Sequence, residues 1–214
     1  MIRILVVDDH PIFRQGLIRI ISNNPDMIVA SESNEGQDAL NKISQNDYDL
    51  LLLDISMPGK NCFDTIKEVK NVRPKLPILI LTMHPEAQYA LRMFKAGASG
   101  YLTKERAPAE LVEAIRTVAS GRMYMPASIA EHVILDWKKE TIKPLHENLS
   151  NREYQIMCMI ASGKKVSEIA AVLSISVKTV KTHRSRLLAK MNMTTNADLF
   201  RYAIKHSLVD DLPV

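Results

Sequence analysis

The chain has 214 residues, of which 46% are hydrophobic and 24% charged. That is ordinary globular composition with enough length for a real core, so a chain dominated by disorder is excluded, as are collagen-like and Pro-rich low-complexity sequences. At roughly 150 residues per domain, one large or two small domains are expected. No apolar run approaches the ~18 residues of a membrane span. The start, MIRILVVDDH, turns acidic too soon for a signal peptide. Cys62 and Cys158 lie far apart and form neither a metal motif nor a disulfide framework. They read as two unpaired, buried thiols in a reducing cytoplasm, with no membrane partner.

The net charge of +4 is unevenly spread. Residues 1–120 hold 14 basic and 15 acidic side chains, residues 121–149 hold 4 of each, and residues 150–214 hold 10 basic and 5 acidic. A basic C-terminal end fits a polyanionic partner or a solvated basic surface, and only motifs distinguish the two.

The first 120 residues alternate short apolar runs with amphipathic ones. Residues 2–7 (IRILVV) read as a buried strand and 11–23 as a helix with Pro11 in its first turn. Residues 27–31 form a second strand and 35–45 a helix with Ala39, Leu40 and Ile43 on one face. Residues 49–53 (DLLLL) form a third strand running into Asp54, and Met57-Pro58-Gly59 is a turn. A helix over 61–72, a strand over 77–82, a helix over 86–95, a strand over 99–102 and a helix over 108–119 follow. Five βα units predict an α/β fold, a five-stranded parallel sheet of order 2-1-3-4-5, doubly wound with helices on both faces. Residues 122–148 read as a linker with a helix over 127–137, and Trp137, the sole tryptophan, as a packing residue.

After Leu149 the strand pattern vanishes. Ser150 and Glu153 have capping-box spacing before a helix with Ile156, Met157, Ile160 and Ala161. A short helix over 166–173, a tight connection with Ser176 as N-cap, a helix over 177–191 and a last one over 196–206 complete an all-α unit of four helices. Met157, Met159, Met191 and Met193 read as core filler.

In a sheet of that order the first and third strands are neighbours. Asp8, Asp9 and Asp54 would then meet at one rim, with Thr82 ending the fourth strand and Lys104 following the fifth nearby. Three carboxylates so close repel one another unless a cation neutralises them, and oxygen ligands suit Mg2+. A carboxylate nucleophile, a cation, an ammonium and a hydroxyl form a constellation for phosphoryl transfer. The bland alternative, helix-capping Asp residues after strands, explains any one of these positions but not all five.

VDDH at 7–10, LLLDISMPG at 51–59, ILTMH at 80–84 and GYLTKE at 100–105 resemble the receiver domain of two-component response regulators over about residues 1–121. The resemblance implies Asp54 as phosphoacceptor. It implies Asp9, Asp54 and the Ser56 carbonyl as Mg2+ ligands, with Asp8 acting through water. Thr82 and Lys104 would sense the phosphoryl group, and Tyr101 would be an aromatic switch that turns inward on phosphorylation. Glu105 stands where many receivers have proline, and Met83 where a small residue is common, a large side chain expected to slow access.

The helix 177–191 reads VKTVKTHRSRLLAKM, with no acid among its basic residues. At about 100° per residue from Val180, Val177, Leu187, Leu188 and Met191 fall within about 80°, whereas Lys178, Lys181, Thr182 and Ser185 fall at about 100–200°. One face packs and the other offers basic and hydroxyl groups to a major groove. Arg184, near 40° on the apolar side, is expected to snorkel to a phosphate. LSNRE at 149–153, EIA at 168–170, LSIS at 173–176 and KTVKTH at 178–183 are similar to the DNA-binding domain of the LuxR/NarL (NarL/FixJ) family. The likeness implies Lys178, Thr179, Lys181, Thr182, Arg184 and Ser185 as DNA contacts. Asn196-Ala197 departs from an Arg-x-x-Ala pattern in the last helix, which pairs monomers in that family.

His10, His84 and His183 have no metal-type spacing and read as surface or capping residues. The expectation is a DNA-binding response regulator of three segments, 1–121, 122–148 and 149–214. Its partners would be a sensor histidine kinase, double-stranded DNA, a second copy of the chain on activation, and RNA polymerase. An aspartyl-phosphate phosphohydrolase would need a second Asp at position 56, where Ser56 stands, so an enzyme is disfavoured. A dinucleotide enzyme lacks its Gly-rich turn. A phosphorylation-independent DNA binder remains the alternative.

Overall fold

The structure, a computed structural model, describes residues 1–55, 57, 62–84, 86–125, 144–206, 208 and 209. Two compact units, Met1–Leu135 and Asp136–Val214, divide the chain. The expected linker helix and Trp137, Ser56, and the Pro58-Gly59 part of the turn lie outside the described residues.

The N-terminal unit is a parallel sheet of order β2-β1-β3-β4-β5, built from β1 (Ile2–Val7), β2 (Met27–Ser33), β3 (Leu50–Asp54), β4 (Ile78–Thr82) and β5 (Gly100–Thr103). The helices α1 (Pro11–Ser22), α2 (Gly36–Gln45), α3 (Cys62–Val72), α4 (Glu86–Ala96) and α5 (Ala107–Ala119) alternate with the strands. β3 and β4 are buried at every residue, as a strand covered on both faces must be, and this is why they read as unbroken apolar runs. β2 is an edge strand buried only at its two ends, so its polar Ser31-Glu32-Ser33 extends the strand two residues beyond the apolar run. Ile4, Val6, Leu17, Leu52, Leu81, Leu111 and Ile115 share one core layer between the sheet and helices α1 and α5.

Register places the functional rim. Val7 pairs with Leu53, Asp54 with Leu81, and Thr82 with Thr103. The strand ends therefore lie level, and the residues just beyond them project from the same edge.

Tyr124, assigned to the linker by sequence, pairs alongside β5: its carbonyl accepts from Tyr101 N at 3.1 Å and its N–H donates to the Ser99 carbonyl at 3.1 Å. Its hydroxyl donates to Glu110 Oε2 at 2.6 Å. Burial and this carboxylate push the phenol up to about 12. Cys62 and Cys158 are buried free thiols, and burial pushes Cys62 up to about 12, which leaves it unreactive.

Among its described residues the C-terminal unit has first a 3-10 turn, Leu145–Asn148, that the periodicity does not predict. It continues with α6 (Asn151–Ala161), α7 (Val166–Val172), α8 (Val177–Lys190) and α9 (Asn196–Lys205). The capping box at Ser150 and Glu153 forms as its spacing predicts, and a second at Thr195 and Asp198 starts α9. The α7–α8 connection closes through Ser174, whose φ of 50° lies in the left-handed region. No helix among the described residues is long and apolar enough to cross a membrane.

Gly100 lets β5 sit against its neighbours. A Cβ there would lie 2.8 Å from Leu79 Cδ1, 2.8 Å from Val118 Cγ2 and 3.2 Å from Tyr124 Cβ. Gly100→Ala should therefore destabilise the N-terminal unit by about 1–3 kcal/mol, read as a lower urea midpoint of its unfolding transition.

Candidate functional site: an acidic rim and a basic helix

Asp8, Asp54, Thr82 and Lys104 are buried side chains at the carboxyl ends of β1, β3, β4 and β5, and Asp9 is half-buried beside them. Lys104 Nζ lies 2.7 Å from Asp54 Oδ2 and 2.8 Å from Asp8 Oδ2. Burial alone would lower the ammonium's pKa, but the two carboxylates outweigh it and the net direction is upward. Phe13 of α1 covers the ammonium, with Nζ 4.6 Å from the ring centre. The Lys104 backbone N–H donates to the Thr82 carbonyl at 2.7 Å, tying the ends of β4 and β5.

The β1–α1 loop is held from below. Arg14 Nη1 donates to the Asp8 carbonyl at 2.6 Å, and its Nε bonds Glu32 Oε2 at 3.0 Å. His10 N–H donates to Asp8 Oδ1 at 2.8 Å. The sequence placed His10 on the surface or in a cap; the ring is exposed, as the first reading has it, but it lies against the carboxylates and not in a cap. Its side chain makes no capping bond, and Nδ1 sits 2.9 Å from Asp9 Oδ1, 3.3 Å from Asp8 Oδ1 and 3.7 Å from Asp54 Oδ2. The tight turn into α1 at Pro11 folds the ring back over the carboxylates, which spacing along one chain segment does not reveal. Phe13 and Arg14 were also missed as site residues. Their position one turn after DDH was the available signal.

Asp8, Asp9, His10 and Asp54 each offer a ligand atom within 4.8 Å of the others. Asp8 Oδ2 and Asp9 Oδ1 are buried and accept no aligned hydrogen bond. Three carboxylates with lone pairs to spare fit a hard divalent cation such as Mg2+.

Thr82 Oγ1 accepts from the His84 backbone N–H at 3.1 Å. Tyr101 is fully buried, and its hydroxyl donates to the His84 carbonyl at 3.0 Å. The inward position expected only on phosphorylation is thus already occupied, because the buried hydroxyl finds its partner there. His84 is half-buried, its ring 4.8 Å from that of Tyr89, rather than a free surface residue. Met83 stands largely in solvent, 70% exposed.

On the C-terminal unit, Val180, Leu187 and Leu188 bury one face of α8, and Lys178, Thr179, Lys181, Thr182 and Ser185 are exposed on it. Ser176 Oγ caps the helix by accepting from Thr179 N at 3.0 Å. Thr182 Oγ1 donates back to the Lys178 carbonyl at 3.0 Å. Arg184 is half-buried, and its Nε donates to Asn196 Oδ1 at 2.8 Å. The snorkelling expected of it is directed to the start of α9. His183, expected at the surface, is half-buried, and burial with Arg152 and Arg186 nearby lowers its pKa. Lys190 Nζ pairs at 2.6 Å with Glu153 Oε2, so this cation serves the fold.

Both halves match known families. Residues 4–116 match the response regulator receiver domain, and residues 147–203 match the bacterial regulatory proteins of the luxR family. The chain belongs to the LuxR-type (NarL/FixJ) response regulators. It is 38% identical to response regulator UvrY of Escherichia coli K12 over 209 residues, 97% of this chain and 96% of that one. It is 33% identical to response regulator GacA of Pseudomonas aeruginosa over 211 residues, 98% and 99% of the two chains. Among solved structures, RcsB from Salmonella enterica serovar Typhimurium, bound to promoter DNA in the presence of phosphomimetic BeF3−, is similar at 25% identity. That match covers 94% of this chain and 97% of that one, with a TM-score of 0.58. The family is one of regulators rather than of conventional enzymes.

The Glu153–Lys190 pair generates a prediction. Burial raises the Glu153 carboxyl, but Lys190 and the Ser150 cap outweigh it and hold the pKa below the usual carboxylate value. A depressed carboxyl stabilises the fold above its unfolded pKa, and that contribution is lost as pH falls through the folded pKa. Lys190→Met should cost the helical unit about 1–3 kcal/mol near neutral pH by leaving a buried carboxylate short of its partner. The gap from wild type should narrow in acid, as urea titrations of the full chain at several pH values would show.

Proposed function

We propose that a sensor histidine kinase phosphorylates Asp54, and that the receiver then promotes pairing of two copies on double-stranded DNA to control transcription. The observation that supports this best is the buried Asp54 carboxylate, 2.7 Å from the Lys104 ammonium at the rim where β1, β3, β4 and β5 end. Residues 1–121 would form the receiver, 122–148 the connector and 149–214 the DNA reader.

A carboxylate oxygen of Asp54 attacks phosphorus, an acyl phosphate forms, and the bond to the donor's leaving group breaks. The Lys104 ammonium neutralises a transferred phosphoryl oxygen, which loosens its grip on Asp54. The Thr82 hydroxyl, whose oxygen accepts from His84 N–H, retains its own proton to donate to another phosphoryl oxygen. Asp9, Asp54 and the Ser56 carbonyl, with Asp8 through water, would hold Mg2+, which supplies charge neutralisation between the carboxylates and the phosphoryl oxygens. The only chemistry proposed for the chain itself is this self-catalysed transfer and the later hydrolysis of the acyl phosphate.

Lys181, Thr182 and Ser185 would face base edges, with Lys178 and Arg184 toward the backbone and Thr179 as a further DNA contact. RNA polymerase is the proposed target of the bound dimer, and the cytoplasm its place of action. A second reading, DNA binding without phosphorylation, has one observation in its favour: Tyr101 is already inward.

Intact mass and sedimentation after incubation with Mg2+ and acetyl phosphate separate the readings. Wild type should gain one phosphoryl group and shift from monomer to dimer, and Asp54→Ala should do neither. Unmodified protein that binds DNA with full affinity would favour the second reading. Lys178→Ala should weaken binding to all duplexes and reduce the slope of log K against log salt by about 1. Thr182→Ala should instead relax sequence preference.

A further inference from the structure

The receiver rim contains a nitrogen donor that no receiver role above uses. His10 Nδ1 faces all three carboxylates, at 2.9 Å from Asp9, 3.3 Å from Asp8 and 3.7 Å from Asp54. Around an octahedral cation with bonds of about 2.1 Å, neighbouring ligand atoms stand about 3.0 Å apart and opposite ones about 4.2 Å. The three His10 distances cover the span from neighbouring toward opposite ligands. Asp9 Oδ1 is a buried atom that accepts no hydrogen bond, although the imidazole nitrogen is 2.9 Å away. The two atoms are close but misaligned for sharing a proton, an arrangement that suits two donors directed at a common cation.

The backbone that carries the ring is also held. His10 N–H bonds Asp8 Oδ1 at 2.8 Å, and Pro11 starts α1 immediately after it. The side chain takes no part in capping α1, so the fold does not require it for that purpose. Carboxylate and water suit Mg2+, whereas an added imidazole favours first-row transition cations.

We propose that His10 is a nitrogen ligand of the cation held by Asp8, Asp9 and Asp54, and that it biases this site toward transition divalent cations such as Mn2+ over Mg2+. This rests on the reading of the rim as a divalent-cation site. It adds a side-chain ligand on the solvent side, where the imidazole is 59% exposed and the carboxylates are more deeply set.

Mn2+ itself is the probe, added to the full chain. Electron spin-echo spectra of the bound Mn2+ should show modulation from a directly coordinated nitrogen, and the pattern should change when histidine is labelled with the heavy nitrogen isotope. His10→Ala should remove the modulation and lower the ratio of Mn2+ to Mg2+ affinity roughly tenfold. His10→Gln, similar in reach but with an oxygen donor, should also remove it. Mn2+ bound by wild type without nitrogen modulation, or an affinity ratio unchanged in His10→Ala, would overturn the role of His10 and leave the cation site standing. Failure of wild type to bind Mn2+ or Mg2+ at all would overturn the cation-site reading, and His10 with it.

Discussion

The Lys104 ammonium bridging Asp8 and Asp54 is the interaction on which the receiver rim depends. Two carboxylates at the ends of adjacent strands are both buried, and neither would be tolerated there unpaired. Lys104 reaches them from the end of β5, passing the end of β4 where Thr82 lies, at 2.8 and 2.7 Å. Phe13 closes over the same ammonium from α1. One cation against three carboxylates still leaves the rim acidic. The site is therefore stable enough to form on its own and electrostatically incomplete enough to attract a further cation. In the function proposed, the same ammonium would follow negative charge from Asp54 to a phosphoryl oxygen, and the structural ion pair would also sense the modification.

The helical unit sorts its cations by a different rule. Lys190 pairs with the buried Glu153, and Arg184 bonds Asn196 at the start of α9. Lys178 and Lys181 stay exposed on α8. Lys190, which braces the helix, is thus distinct from the exposed Lys178 and Lys181. Bracing matters because side chains can read a groove only from a helix whose position is set, and α8 is set by its buried Val180, Leu187 and Leu188.

Most of the architecture was legible in the sequence because central parallel strands are buried on both faces and amphipathic helices on one. LLLL before Asp54 and ILIL before Thr82 admit few other readings, and the Ser150–Glu153 spacing announced its capping box. Legibility failed where a contact crosses between segments or where a turn folds back. Ser31-Glu32-Ser33 continues an edge strand that polar residues can occupy. The 3-10 turn at Leu145–Asn148 has too few residues to show a period. Tyr124 joins β5 through backbone bonds, to which its side chain is no guide. His10 read only as a surface or capping residue because its neighbours in the chain say nothing about Asp54, 44 positions on.

By itself the sequence determined which residues are apolar at periods of two and 3.6, which carboxylates end strands, and where the basic excess lies. Those features settle the fold class and the candidate set Asp8, Asp9, Asp54, Thr82 and Lys104. Tertiary structure alone decided which cations remain exposed on α8, that Tyr101 is inward, and that an imidazole lies against the acidic rim. The reason is physical: burial patterns are written locally along the chain, but the partner of a charge is chosen by strand register and helix packing, which bring together residues that the sequence keeps far apart.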